Sequence, residues 1–243
     1  MHESIFPAKS GGIVLIKLFA MIFMLIDHIG AIVYPKIIAF RIIGRLSMPL
    51  FAYSIARSFD HYMRVEADNR GEGAEFKQTA NRFYRQIVRL LVFAVISQWP
   101  FSLIVSGSLN IGFTWTLAFS LLCATFLLQN VALKLLISAC ILCISAFVPM
   151  DYGIYGILYP LMLYICCFKY NKFNYCLGGT AALYLLTMML YGPGNLQVIT
   201  ILTVNLIWIL RKYDDRIKLP KWVYYTFYPV HFPILVLISR IIS

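Results

Sequence analysis

Two ionisable residues, Asp27 and His28, stand next to each other inside a long apolar stretch near the start of the chain. Arg41 and Arg45 follow in the next apolar stretch, and their spacing of four residues places them on one face of a helix. A charge inside a lipid-embedded helix is costly, so it is normally paired, turned toward a cavity, or functional. We therefore expect Asp27 to pair with Arg41 or Arg45 and to orient His28. Such a group could move a proton and stabilise a developing negative charge. The alternative is a buried ion pair that only locks two helices together.

Two further residues extend this candidate site along the chain. Lys17 precedes His28 by eleven residues, so both lie on one stripe of a helix, about 16 Å apart along its axis. His231 lies between two prolines in the last apolar stretch, in the sequence FYPVHFP. It could be a second proton carrier or a core histidine, and the residues alone leave both readings open.

The elements that must hold these residues are transmembrane helices. Apolar residues make up 61% of the 243 residues, 13% are charged, and the mean hydropathy is +0.79. Soluble domains carry about 25% charged residues, and the continuous apolar stretches differ from the alternating strands of an outer-membrane barrel. The sequence predicts an all-α integral membrane protein with one polytopic domain, residues 1–243, and about nine transmembrane helices. The candidate spans are Ile13–Tyr34, Ile37–Ala56, Ile87–Val105, Gly112–Leu128, Leu133–Pro149, Gly153–Phe168, Tyr175–Leu190, Leu196–Leu210 and Trp222–Ile241.

The distribution of Lys and Arg predicts the orientation of these helices. Every second link between candidate spans is basic, namely residues 1–17, 57–89, 129–134, 169–172 and 211–221. The positive-inside rule then predicts a cytoplasmic N-terminus, a periplasmic C-terminus and a multi-pass location in the bacterial inner membrane. The net charge of +11 is explained by contact with anionic lipid, so we expect no nucleic acid partner.

Two other features are interpreted from composition. Residues 57–86 combine charges with glycines and are expected to form a mobile cytoplasmic loop. The cluster Arg82, Arg85 and Arg89 could snorkel to lipid phosphates or bind an anionic ligand. The six cysteines lie in or at the start of apolar spans and are expected to be packing residues, so we expect no metal site.

Five sequence blocks resemble the TraX family, whose members are membrane proteins of conjugative plasmids that N-acetylate pilin. The blocks are KLFAMIFMLIDHIGAIVYP, RIIGRLSMPLFAYSIARSF, RLLVFAVISQWPF, LNIGFTWTL and FYPVHFPIL. The resemblance runs from Lys17 to about Leu235. The third block departs from the family pattern, because Gln98 stands where an acid is frequent.

The resemblance implies an acetyl-CoA-dependent enzyme that acetylates the N-terminal alanine of pilin. A fainter similarity to the membrane acyltransferase-3 group implies a central role for His28. The first helix of that group carries a basic residue, usually Arg, separated from a histidine by ten residues, and this chain has Lys17 in its place. On this hypothesis the catalytic group is His28, Asp27, Arg41, Arg45 and His231. Lys17, Arg82, Arg85 and Arg89 would meet the phosphates of acetyl-CoA. The partners would be pilin and membrane lipid.

Two other function classes fit part of the same pattern. Intramembrane Asp, His and Arg also suit a proton-coupled transporter, although no internal repeat is visible. A pilin-binding assembly protein without enzymatic activity would not need Asp27 and His28.

Overall fold

The protein is an assembly of packed helices. The computed structural model describes residues 12–69, 76–192, 199–210 and 219–242. Within these residues there are ten α-helices and one π-helical segment, Tyr164–Lys169, and no strands beyond a single bridge between Leu109 and Met150. The helices are α1 (Ile13–Ile32), α2 (Ile38–Gly44), α3 (Ser47–Asn69), α4 (Phe76–Ser102), α5 (Ile111–Leu127), α6 (Val131–Phe147), α7 (Gly153–Leu163), α8 (Phe173–Tyr191), α9 (Thr200–Leu210) and α10 (Lys221–Ile242).

Several helices have the length and apolarity of membrane spans. Four candidates emerge by length and composition, at Ile13–Ile32, Ile38–Val65, Phe173–Leu190 and Trp222–Ile242, and four shorter apolar helices accompany them. Large apolar side chains such as Phe147, Met189 and Trp99 face outward, a surface that lipid accepts. The chain is therefore a helical membrane protein. The count of nine spans and the sides of the termini stay predictions.

Two boundaries differ from the sequence-based prediction. The predicted second span, Ile37–Ala56, is divided into α2 and α3 by a break at Arg45–Leu46. The loop predicted at residues 57–86 is wrong for most of its length, because α3 continues to Asn69 and α4 begins at Phe76. Residues 70–75 lie outside the described residues, as do Lys9 and the basic residues between 211 and 218.

Ion pairs at helical spacing explain why α3 continues past the predicted boundary. Asp60 is buried, and its Oδ2 accepts from Arg57 Nη1 at 2.9 Å and from Arg64 Nε at 2.7 Å. Partners three residues before and four residues after an acid are neighbours on a helix surface. Phe59 packs against Phe83 of α4 with ring centroids 5.6 Å apart, which joins α3 to α4 in the core. The charged composition of this segment thus belongs to a packed helix.

A polar network fixes α4 against the start of α5. Gln98 Oε1 accepts from both the backbone N–H and Nδ2 of Asn110, each at 3.0 Å. Asn110 Nδ2 also donates to Ala94 O at 2.7 Å, and its Oδ1 caps α5 by accepting from Gly112 N at 2.8 Å. Gln98 Nε2 donates to Ser108 O at 3.0 Å. Because these groups satisfy one another, Gln98 and Asn110 serve the packing of the helices.

Candidate functional site

The first two apolar stretches bring Asp27 and Arg41 into a direct ion pair. Arg41 Nη1 donates to Asp27 Oδ2 at 2.6 Å and approaches Asp27 O at 3.3 Å. Asp27 is 6% exposed on α1, and Arg41 reaches it from α2. Of the two pairings expected from the sequence, this is the one that forms. The other carboxylate oxygen, Oδ1, is buried without a hydrogen-bond partner among the described residues.

A glycine in α2 permits this close approach. A Cβ added at Gly44 would overlap the Cβ of Asp27 and lie 2.5 Å from its Cα and Oδ1. Arg45 follows at the end of α2, with its guanidinium carbon 5.7 Å from the ring centroid of Tyr152. The break between α2 and α3 therefore lies at the site, where a discontinuous helix is tolerated because it is buried in protein.

The two histidines hold each other by a hydrogen bond that fixes their tautomers. His28 Nδ1 lies 2.6 Å from His231 Nε2, and His231 Nδ1 lies 2.9 Å from Phe227 O. A carbonyl oxygen only accepts, so His231 carries its proton on Nδ1 and accepts at Nε2. His28 Nδ1 must then be the donor, and when both rings are neutral His28 Nε2 carries a free lone pair. Among the described residues His231 therefore orients His28, and the expectation that Asp27 does so is wrong.

Two residues of the site, Asp151 and Tyr152, were missed in the sequence. They lie between α6 and α7, and Tyr152 has a φ of 62°, in the left-handed region that aromatic residues rarely adopt. Burial raises the pKa of the Asp151 carboxyl to about 6, against the opposing effect of Arg45. The only signal in the sequence was an acid directly after an apolar stretch, which also describes an ordinary loop residue.

Three cavities meet along this group of residues. The His28 cavity is small, about 10 Å³, and its lining includes Asp27, His28, Ser47, Asp151 and Tyr152. A space of this size holds roughly one water molecule.

The Lys17 cavity has a volume of about 260 Å³, and its lining includes Lys17, Gln86 and Arg89. It shares Met24, Ile111 and Tyr228 with the His28 cavity. The Ser145 cavity, about 360 Å³, shares Tyr152 with the His28 cavity and is otherwise lined by residues 145–150 and by Gly153, Tyr155 and Thr187. The three cavities therefore form a row with shared walls.

The predicted site residues separate into two groups. Asp27, His28, Arg41, Arg45 and His231 come together as expected from the sequence, through α1, α2 and α10. Of the four residues expected to meet acetyl-CoA phosphates, Lys17 and Arg89 line the Lys17 cavity. Arg85 and Arg82 lie about one and two turns earlier on α4, outside that lining. Arg85 is exposed and could contact only a group that extends beyond the cavity.

Comparison with known proteins then decides the family. The TraX protein family matches residues 13–239, nearly the whole chain. The chain belongs to the TraX family. The matched region contains every residue of the TraX site described above, from Lys17 to His231.

Comparison with individual proteins gives a match over only a small part of the chain. An uncharacterized protein of Rickettsia prowazekii (strain Madrid E) is 47% identical over 45 residues, 18% of this chain and 18% of that protein. The match thus spans about a fifth of the length of this relative. No solved structure matches the chain. Membership of the TraX family suggests a role in conjugative pilin processing.

Proposed function

We propose that the protein is an acetyl-CoA-dependent N-acetyltransferase of the bacterial inner membrane that acetylates the N-terminal alanine of conjugative pilin. The observation that carries this proposal is the chain of hydrogen bonds from Phe227 O through His231 to His28. It leaves the lone pair of His28 Nε2 available as a general base, beside the Asp27–Arg41 ion pair. An N-terminal ammonium must lose a proton before it can attack a thioester, and an imidazole suits that task.

The Lys17 cavity fits the donor substrate. Lys17 and Arg89 give it positive charge, which the phosphates of acetyl-CoA require. Much of its lining is apolar or aromatic, including Phe51, Phe93 and Trp115, as suits an uncharged pantetheine arm. Its wall at Met24 and Tyr228 adjoins the His28 cavity, so a thioester at this wall would lie next to the base. Met24 belongs to the helical stripe that joins Lys17 to His28.

The proposed reaction transfers the acetyl group without a metal. His28 Nε2 takes a proton from the ammonium, and the amine nitrogen attacks the thioester carbonyl carbon. The guanidinium of Arg41 or Arg45 stabilises the negative charge on the carbonyl oxygen. The C–S bond then breaks, CoA leaves as a thiolate that takes a proton from the imidazolium, and the second proton of the nitrogen passes to solvent. The products are an acetylamide, CoA thiol and one proton.

Replacement of His28 tests the proposal. In cells that carry pilin, we expect His28→Ala to abolish the added acetyl mass on the pilin N-terminus. With purified protein we expect a loss of about 10²–10⁴-fold in kcat, the usual contribution of a general base. The matched control is His61→Ala, because His61 is exposed on α3 and lines neither the His28 cavity nor the Lys17 cavity.

The outcomes separate the function classes. Retained acetylation in the His28 variant, at normal membrane levels, would remove His28 from the mechanism. A wild-type protein that binds pilin but transfers no labelled acetyl group from acetyl-CoA would instead be an assembly protein.

A further inference from the structure

The acceptor amine needs its own route to the base, because the Lys17 cavity is assigned to the donor. We propose, on the basis of the proposed function, that the Ser145 cavity receives the free amino terminus of a peptide. The side chain of Tyr152 is then the partition between this cavity and His28. The geometric basis is that Tyr152 lines both cavities. Donor and acceptor would therefore reach the His28 cavity from opposite ends of the row.

The position of Tyr152 is imposed by its surroundings. Leu109 N donates to Pro149 O at 2.9 Å, and Asp151 N donates to Leu109 O at 2.9 Å. Thr114 Oγ1 of α5 donates to Asp151 O at 2.7 Å. These bonds hold the segment before Tyr152, whose left-handed backbone is strained for a side chain of this size. Residues held in such conformations cluster at sites where the strain serves a function.

The lining of the Ser145 cavity suits a guest that donates hydrogen bonds. Ser145 Oγ donates its proton to Leu142 O at 2.7 Å, and Thr187 Oγ1 donates its proton to Tyr184 O at 2.7 Å. Each hydroxyl has one proton, so both oxygens have only lone pairs left to offer. An ammonium has three donors and no acceptor, which makes it complementary to such a surface.

The charge of the residues that line the Ser145 cavity also suits an ammonium group. No Lys or Arg is among the described residues that line the Ser145 cavity, in contrast to the Lys17 cavity with its two cations. The adjoining His28 cavity is lined by the carboxylates of Asp27 and Asp151, whose charge Arg41 and Arg45 balance. A CoA phosphate would find no basic partner in the described lining of the Ser145 cavity, whereas a peptide ammonium would meet no like charge there.

The partition also has a chemical use. When the Tyr152 ring stands between the cavities, it separates the small His28 cavity from the water of the Ser145 cavity, which lowers the hydrolysis of a bound thioester. Movement of the ring would admit the amine, whose nitrogen then attacks the thioester carbon while its proton passes to His28. The sulfur leaves on the donor side as CoA thiol.

A plug in the Ser145 cavity is the first test. Ala146 is exposed on α6 and lines the cavity, so Ala146→Trp should obstruct it with little effect on the core. With acetyl-CoA and a synthetic peptide that begins with alanine, we expect the KM for peptide to rise about tenfold, while the KM for acetyl-CoA stays unchanged. The matched control is Ala139→Trp, two turns earlier on the same face of α6 and outside the cavity, which should leave both KM values unchanged.

A second variant tests the partition. Tyr152→Gly removes the ring and suits the left-handed backbone, so we expect hydrolysis of acetyl-CoA without peptide to increase about tenfold over wild type. An unchanged peptide KM in Ala146→Trp, or unchanged hydrolysis in Tyr152→Gly, would overturn the inference.

A binding measurement separates this inference from the proposed function. In a background without native cysteines, Ala146→Cys is labelled with a maleimide in the presence of either the free peptide or its N-acetylated form. We expect protection by the free peptide alone. If the free peptide protects a protein that transfers no acetyl group, the cavity assignment is supported and the proposed enzymatic activity is wrong. Equal labelling in the presence of either peptide would overturn the cavity assignment.

Discussion

At the scale of single residues, the Tyr228 hydroxyl is the group whose environment most needs an explanation. Its side chain lines both the Lys17 cavity and the His28 cavity. The hydroxyl is buried and its proton meets no acceptor among the described residues, while the backbone N–H of Ile111 lies near its oxygen. An unpaired buried hydroxyl costs about 1–3 kcal/mol, so its presence at this wall needs a compensating role. A thioester carbonyl that enters from the Lys17 cavity would supply the missing acceptor.

We therefore predict that Tyr228→Phe lowers kcat by about 10²-fold, the usual effect of losing one donor to an oxyanion. The free energy of unfolding should be unchanged or higher, because the variant removes an unsatisfied polar group. Initial rates and thermal unfolding in detergent measure the two effects.

Tyr159→Phe is the matched control for this prediction. Its hydroxyl is bonded to Thr180 Oγ1 at 3.2 Å, so this variant should lose about 1 kcal/mol of stability and keep its kcat. Equal kcat values for wild type and Tyr228→Phe would show that the hydroxyl has no part in the reaction.

Sequence reasoning at this scale predicted which residues meet but missed how they are bonded. The cost of isolated charges in lipid was enough to predict that Asp27 pairs with an arginine of the next apolar stretch, Arg41 or Arg45. The bond from His231 to His28 joins residues 203 positions apart, and spacing within one helix carries no information about it. Asp151 and Tyr152 escaped prediction because their chain segment is not helical, so helical periodicity carries no information about it.

At the scale of helices, the junction of α1 and α2 depends on the absence of a side chain at Gly44. The Cα of Asp27 lies where a Cβ of residue 44 would need space, so the backbones themselves are in close approach. Small residues allow such contacts between membrane helices. Arg41, one turn earlier on α2, reaches the Asp27 carboxylate because of this contact.

We predict that Gly44→Ala forces α1 and α2 apart, lowers stability by about 1–3 kcal/mol and abolishes acetyl transfer. The control is Gly178→Ala on α8, where an added Cβ meets nothing within 4 Å. Because alanine favours a helix over glycine by about 0.5–1 kcal/mol, the control should be more stable than wild type. Thermal unfolding midpoints that shift in the same direction for both variants would contradict the packing argument.

The helices themselves were largely predictable, since all nine apolar stretches contain helix in the described residues. The helix boundaries were predicted wrongly where the local composition does not show how the segment packs in the fold. The charges around Asp60 looked like a loop because the sequence does not show that Arg57 and Arg64 neutralise it on a packed helix. The break at Arg45 was hidden because the residues on both sides are apolar. The contact at Gly44 explains why a separate short helix, α2, precedes α3.

At the scale of the whole molecule, the row of cavities follows the distribution of charge. The Lys17 cavity contains two cations, Lys17 near the start of α1 and Arg89 at the middle of α4. The Ser145 cavity adjoins the link between α6 and α7, which contains no Lys or Arg. The bridge between Leu109 and Met150 joins that link to the one between α4 and α5, so both must lie on one side of the membrane. Helices α5 and α6 would then form a hairpin whose turn, at residues 128–130, lies on the basic side.

This arrangement predicts opposite labelling at the two ends of α5. Ser106, before α5, and Gln129, after it, are both exposed, and each can be replaced by cysteine in a background without native cysteines. In intact spheroplasts we expect a membrane-impermeant maleimide to label Ser106→Cys, and to label Gln129→Cys only after permeabilisation, because basic links stay in the cytoplasm. Labelling of both from one side would mean that α5, a helix of only 17 residues, does not cross the bilayer. The donor and acceptor cavities could then not open to different compartments, although the pairing of Asp27 with Arg41 would be unaffected.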